Sequence, residues 1–143
     1  MKYSVLLLIV VIGFLVSCNS SNPNNPQPQG ISEGTWRGVT STGDSITFMV
    51  EQSHVDSFNI VLIYRFQSLT DTVSWHLPRT EIVTNSITIN DSIAGNPSYN
   101  VEVTGNFTPP NSIAGMVDTD GRYHPDSSST ELVNYSVSWE ASH

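Results

Sequence analysis

The stretch Asp118-Thr-Asp120-Gly-Arg-Tyr-His124-Pro-Asp126 holds the densest run of oxygen donors in the chain. Alternate carboxylates followed by glycine suit a hard cation such as calcium, which takes six to eight oxygens from closely spaced donors. The pattern stops short, because no glutamate stands at the twelfth place to close such a loop. Asp118, Asp120 and Asp126 are therefore the only metal-ligand candidates, no metal or other cofactor is assigned, and the stretch reads as a solvated turn. The four histidines, His54, His76, His124 and His143, are at least 19 residues apart. That is outside the short spacing of zinc or copper motifs. Cys18 is the one cysteine, which excludes an intramolecular disulfide.

Gly43-Asp-Ser45-Ile46 resembles the Gly-Asp-Ser-Leu block of a family of serine hydrolases. The resemblance implies a nucleophilic Ser45 with its base in a downstream Asp-x-x-His, carried on an α/β sheet. The chain has His124 and Asp126 but no Asp-x-x-His, and no helical periodicity from which to build that sheet. A Thr-Gly-Asp-Ser turn between two antiparallel strands accounts for the same residues. No catalytic residue is assigned, and the expectation is a protein that is not an enzyme, with an uncharacterised hydrolase as the third alternative. Asp44-Ser-Ile, Asp71-Thr-Val and Asp91-Ser-Ile each resemble the Asp-Ser/Thr-apolar acceptor of a general bacterial O-glycosylation system.

The N-terminus says where these groups sit. Lys2 is followed by the apolar run Val5–Val16 and then Ser17-Cys18, the parts of an export signal. Twelve residues at 1.5 Å each span about 18 Å, short of the roughly 30 Å hydrocarbon core. Leu15-Val16-Ser17-Cys18 resembles the lipobox of bacterial lipoproteins. The resemblance implies cleavage before Cys18, a thioether-linked diacylglycerol on its sulfur, and a membrane anchor. Residues 1–17 are then the signal peptide, 18–30 the lipidated cysteine and a disordered Asn/Pro/Gln tether, and 31–143 the folded domain. Asn19 stands where an inner-membrane retention signal would place aspartate, so the expected location is the bacterial cell envelope, anchored in the outer membrane and facing the periplasm.

The elements that must position any site read as β throughout. No window after Gly34 carries three turns of helical apolar spacing, whereas period-two alternation recurs, most plainly in Val133-Asn-Tyr-Ser-Val-Ser-Trp139. Strands are expected at 35–40, 45–52, 57–66, 72–77, 86–90, 101–107, 113–118 and 133–139. The segment 57–66, apolar on both faces, reads as a central strand covered on both sides. Turns are expected at 41–44, 90–92, 95–97, 109–111 and 118–121. Gly105 falls at an inward place that suggests a bulge or a close backbone approach. The Ser-Ile-Ala-Gly tetrapeptides at 92–95 and 112–115 read as coincidence. Eight short strands in this length make one all-β antiparallel domain, a small β-barrel or β-sandwich. Gly34-Thr-Trp36-Arg-Gly38 resembles the Gly-x-Trp start of the calycins, the lipocalins and avidin-like barrels. The resemblance implies that Trp36 plugs one barrel end and that the other mouth takes a small apolar ligand. The basic residue such barrels carry on the last strand is missing from Trp139-Glu-Ala-Ser-His143. Val103-Thr-Gly-Asn-Phe107, Ile113-Ala-Gly115 and Ser138-Trp-Glu-Ala141 resemble the closing strands of small bacterial envelope β-domains.

Composition removes whole classes of partner. The chain has 13 acidic against five basic residues, a formal charge of −8. Without Lys2 the remainder has four arginines against the same 13 acids, hence −9. Such a chain cannot neutralise a phosphate backbone, so no nucleic acid is expected as partner. The reading that results is a non-catalytic, membrane-anchored envelope lipoprotein that binds either a small apolar ligand or another envelope component. Its alternative is a structural or assembly protein with no small-molecule site. The anchor is testable directly: wild type takes up labelled palmitate and Cys18→Ala does not. A Cys18→Ala chain that still fractionates with membrane overturns it.

Overall fold

Alternation of one buried and one exposed side chain runs through nearly every strand, and it dictates a single sheet with one wet and one dry face. The computed structural model describes residues 30–143; the expected signal peptide, Cys18 and the tether up to residue 29 lie outside the described residues. Within that span the fold is all-β and antiparallel, with nine strands: β1 Gly34–Thr40, β2 Ser45–Glu51, β3 His54–Arg65, β4 Thr70–Leu77, β5 Thr80–Glu81, β6 Ser86–Ile93, β7 Ser98–Thr108, β8 Ser112–Tyr123 and β9 Glu131–Ser142. Their order is β4-β3-β2-β1-β9-β8-β7-β6, so the first strand pairs with the last and the meander rolls up. The result is a barrel rather than a two-sheet sandwich. A seam remains between β4 and β6, which approach without a hydrogen-bonded ladder.

The seam is stitched at one end. β5 pairs with His54 and Val55 of β3, and Val83 bridges Ser86 around Thr84-Asn85. Both turn residues have left-handed φ, 50° and 63°, as a two-residue hairpin of type I′ requires. β5 is too short to show a period in the sequence and was not expected.

Residues 57–66 depart from expectation. β3 alternates, and Val61 and Ile63 point outward at 43% exposure each, because a barrel wall has solvent outside it. Val55 and Phe58 are three apart yet both fully buried. A bulge makes this possible: Thr47 pairs with Asn59 but Met49 with Asp56, and Ser57 takes φ 52° to absorb the extra residue.

Two expected turns are strands. Residues 90–92 continue β6, and 118–121 continue β8, where Thr119 and Gly121 face the core while Asp118 and Asp120 face out. Gly105 sits in unbroken register opposite Gly115, so the close approach is real and the bulge is not. A Cβ on Gly115 would lie 1.8 Å from the Thr104 carbonyl oxygen, and one on Gly105 would lie 2.9 Å from the Trp139 ring. The two Ser-Ile-Ala-Gly segments play unlike parts, with Ile93 exposed and Ile113 buried.

The interior is aromatic. Phe48 stacks on Trp36 and on Phe58 at 5.7 and 5.4 Å, and Trp139 meets Phe48 and Phe58 edge-on at 6.2 and 5.5 Å. Trp139 also donates its indole N–H to the Thr104 carbonyl at 3.0 Å. Trp139→Ala removes a ring from the centre of this cluster and is expected to cost about 3–5 kcal/mol, the usual range for a core aromatic. Urea unfolding measures it; a loss under about 1 kcal/mol would contradict the packing described.

Candidate functional site

The two barrel ends differ. At the end where the chain enters, Trp36 is fully buried, donates its indole N–H to the Ser32 carbonyl, and meets Phe107 edge-on at 5.3 Å. Ile31 packs on the core there, and the Ser32 N–H bonds the Pro110 carbonyl. That end is plugged.

The opposite end is built from tyrosines carried inward on β3, β7 and β9. Tyr64 meets Tyr99 at 4.3 Å and Tyr135 at 5.8 Å, and Phe66 meets Tyr123 at 5.7 Å. Around Tyr64 the hydrogen bonds run in one direction. Trp75 donates to the Tyr64 hydroxyl, and Thr119 donates to the Asn100 carbonyl at 2.7 Å. Tyr64 and Thr119 bond each other, so Tyr64 is the donor to Thr119 in this chain of bonds. The relay ends on a backbone carbonyl with no titratable base, so it satisfies buried groups and moves no proton. Tyr99 donates across the seam to the Asp71 carboxylate on β4. This bond closes the end of the seam that β5 does not reach.

These environments hold the phenols protonated. For Tyr64 burial is the largest influence and raises the phenol, against the lowering effect of its bonds to Thr119 and Trp75. Burial raises Tyr99 too, reinforced by the hydrogen bond to Asp71 and its negative charge. Tyr135 rises through burial and then through Tyr64 and Asp44.

The outer wall of the tyrosine half carries a second feature. Strands β6–β9 curve there into a depression of about 910 Å³ whose lining includes Asn90, Asn100, Glu102, Asp118, Asp120 and Asn134. The register explains the grouping. Asn90, Glu102, Asp118 and Ser136 form one row across the four strands, and Asn100, Asp120 and Asn134 lie in the next. Asn100 donates its amide to both Asp120 oxygens, at 3.0 and 3.1 Å. Glu102 and Asp118 stand directly opposite each other, and among the described residues neither has a cation within 4 Å. Like charges so placed on neighbouring strands repel.

The three metal candidates are not gathered. Asp118 and Asp120 are two places apart on the outside of β8, while Asp126 lies in the following loop. There it accepts bonds from the Ser128 hydroxyl and from the Ser128 and Ser129 N–H groups, which hold its carboxyl down at about 2. Among the described residues no group of three or more His, Cys, Asp or Glu is arranged for a metal ion. Asp44 caps its own turn by accepting from the Thr40 and Thr42 hydroxyls, leaving Ser45 exposed at the start of β2. His124 is bound instead to Asn96 and Thr130. His54 bonds the Gln52 carbonyl and His76 the Asn59 side chain, while the His143 ring lies 5.8 Å from that of Trp36.

Sequence reasoning missed the tyrosine end and the opposed carboxylates. The odd-position alternation around Tyr135 and Val101–Phe107 points the rings in and Glu102 out, but only strand register puts Glu102 opposite Asp118. The raised tyrosines have a consequence for stability. An unfolded phenol ionises near pH 10 and a folded one later, so their contribution is complete below about pH 10 and is lost as pH climbs above it. Denaturant titrations from pH 8 to 11 should show a steep alkaline loss, shallower in Tyr99→Phe; a curve flat through pH 11 would contradict it. Compared with known protein families, with curated proteins and with solved structures, the chain matches none.

Proposed function

We propose that this chain is a non-catalytic envelope lipoprotein, held to the outer membrane by lipid on Cys18, whose β-barrel binds another envelope component through its outer wall. The observation that carries this reading is where the space lies. Large side chains occupy the interior from the Trp36 plug to the tyrosine end, whereas the outer wall of β6–β9 offers a broad depression. A small apolar ligand would have to displace Tyr64, Tyr99 or their neighbours, breaking bonds that satisfy buried polar atoms.

Charge argues for the kind of component. Glu102 and Asp118 oppose each other without compensation, an arrangement that works against the fold and in favour of a basic surface on the partner. Position agrees: the chain enters at the Trp36 end, and the depression lies toward the other end of the same strands. An anchor at Cys18 would therefore leave the acidic wall on the side of the domain away from its tether.

The test is capture from detergent-solubilised envelopes of the source organism. Wild type should retain a component that is released by about 0.5 M salt, where screening is strong. The Glu102→Lys, Asp118→Lys double variant should lose it while keeping its melting temperature. Equal capture by both proteins, or saturable binding of a fluorescent fatty acid to the purified domain, would overturn the proposal.

A further inference from the structure

Six of the seven aspartates precede a hydroxyl residue: Asp44-Ser45, Asp56-Ser57, Asp71-Thr72, Asp91-Ser92, Asp118-Thr119 and Asp126-Ser127. Folding sorts them. Thr119 is buried. Ser57 holds a left-handed φ in the β3 bulge and is followed by an aromatic residue, Phe58. Ser127 lies in a loop before another serine.

The remaining three continue with an aliphatic residue and share one presentation. Asp44, Asp71 and Asp91 are half-buried, while Ser45, Thr72 and Ser92 are exposed on β2, β4 and β6. At two of them the Thr72 N–H donates to Asp71 and the Ser92 N–H to Asp91, both at 2.8 Å, a bond the Ser57 N–H also makes to Asp56 but from a left-handed backbone. This bond fixes each carboxylate beside an extended backbone whose hydroxyl projects outward. All three lie toward the tyrosine end, since β2 and β4 begin there and β6 finishes there.

A second observation comes from the strand between the first two. Val61 and Ile63 are the outward aliphatics of β3; Thr72 pairs with Ile63, and Ile46, next to Ser45, pairs with Ile60. Groups attached at Ser45 and Thr72 would flank and cover this exposed apolar strip.

We propose that Ser45, Thr72 and Ser92 are sites of O-linked glycosylation that place saccharide around the end of the barrel farthest from the tether. The donor is an activated glycosyl diphosphate, lipid- or nucleotide-linked, used by a separate transferase. The hydroxyl oxygen attacks the anomeric carbon, the bond from that carbon to phosphate breaks, and the diphosphate leaves. The hydroxyl proton passes to a base of the transferase. The inference requires export of the chain but not the partner-binding reading; Ser92 itself lines the β6–β9 depression, so a saccharide there would occupy one edge of the proposed docking wall.

The test uses the full-length protein purified from its source organism, by intact mass and by fragmentation that retains side-chain sugars. The expected result is three saccharide increments, mapped to Ser45, Thr72 and Ser92, with one increment lost in each of Ser45→Ala, Thr72→Val and Ser92→Ala. Asp91→Asn should also lose the Ser92 increment, since it removes the carboxylate and leaves the acceptor hydroxyl and a backbone-bonding oxygen in place. Thermal melting shows that these variants remain folded. A mass equal to the lipidated polypeptide, increments on Ser57 or Ser127, or sugar surviving in the triple variant would overturn the proposal. Palmitate labelling separates the failures: a lipidated chain without sugar overturns this inference alone, and a chain with neither overturns export as well.

Discussion

Trp139 can lie inside the barrel only because the two strands beside it meet at a glycine pair. Gly105 and Gly115 face each other across β7 and β8, and a methyl group on either would run into the Trp139 ring or the Thr104 carbonyl. With no side chain there, Trp139, paired with Gly115 on one side and with Thr40 of β1 on the other, has room to lie inside. The same indole ties the far strands together, touching Phe48 of β2 and Phe58 of β3 while its N–H bonds β7. The centre of the core thus depends on one contact between the largest side chain and the smallest.

A barrel filled this way gives its interior over to packed aromatic and aliphatic side chains. Its buried polar atoms are arranged to satisfy one another, in the run from Trp75 through Tyr64 and Thr119 to the Asn100 carbonyl, and an unpaired member would cost about 1–3 kcal/mol. The seam between β4 and β6 follows the same logic. Its edges carry backbone groups without ladder partners, a standing risk of pairing with other chains. β5 covers one end and the Tyr99–Asp71 bond the other, and burial first, then that bond and its negative charge, push the Tyr99 phenol upward.

Much of this was legible in the residues. Seven-residue alternation such as Val133–Trp139 has one solution, a half-buried strand, and the all-β antiparallel class follows from its recurrence, whereas the choice of barrel over sandwich rests on the pairing of β1 with β9. The errors have physical causes. Asp118-Thr-Asp-Gly121 has the composition of a turn, but pairing on both sides and inward places for Thr119 and Gly121 override that local preference. Val61 and Ile63 suggested a covered strand because an apolar residue in sequence does not say whether anything lies against it. Tyr99 and Asp71 are 28 positions apart, and no local pattern joins them.

The outer wall shows how weakly the fold constrains its surface charge. Two unit charges about 5 Å apart in water interact by less than about 1 kcal/mol, and salt reduces that further. Glu102 and Asp118 can therefore face each other at small expense to a barrel held by its aromatic core. The same charges act cooperatively on anything approaching, because Asp120 lies in the adjoining row and no cation within 4 Å offsets the opposed pair among the described residues. An acidic field centred on the Glu102–Asp118 row, with Arg122 two places beyond Asp120 toward the strand end, raises the rate at which an oppositely charged surface arrives, and does so without any side chain having to move. Interior packing and exterior charge are in this way separable: substitutions at the glycine pair act on the packing of the barrel, and substitutions in the Glu102–Asp118 row act on the charge its outer wall presents.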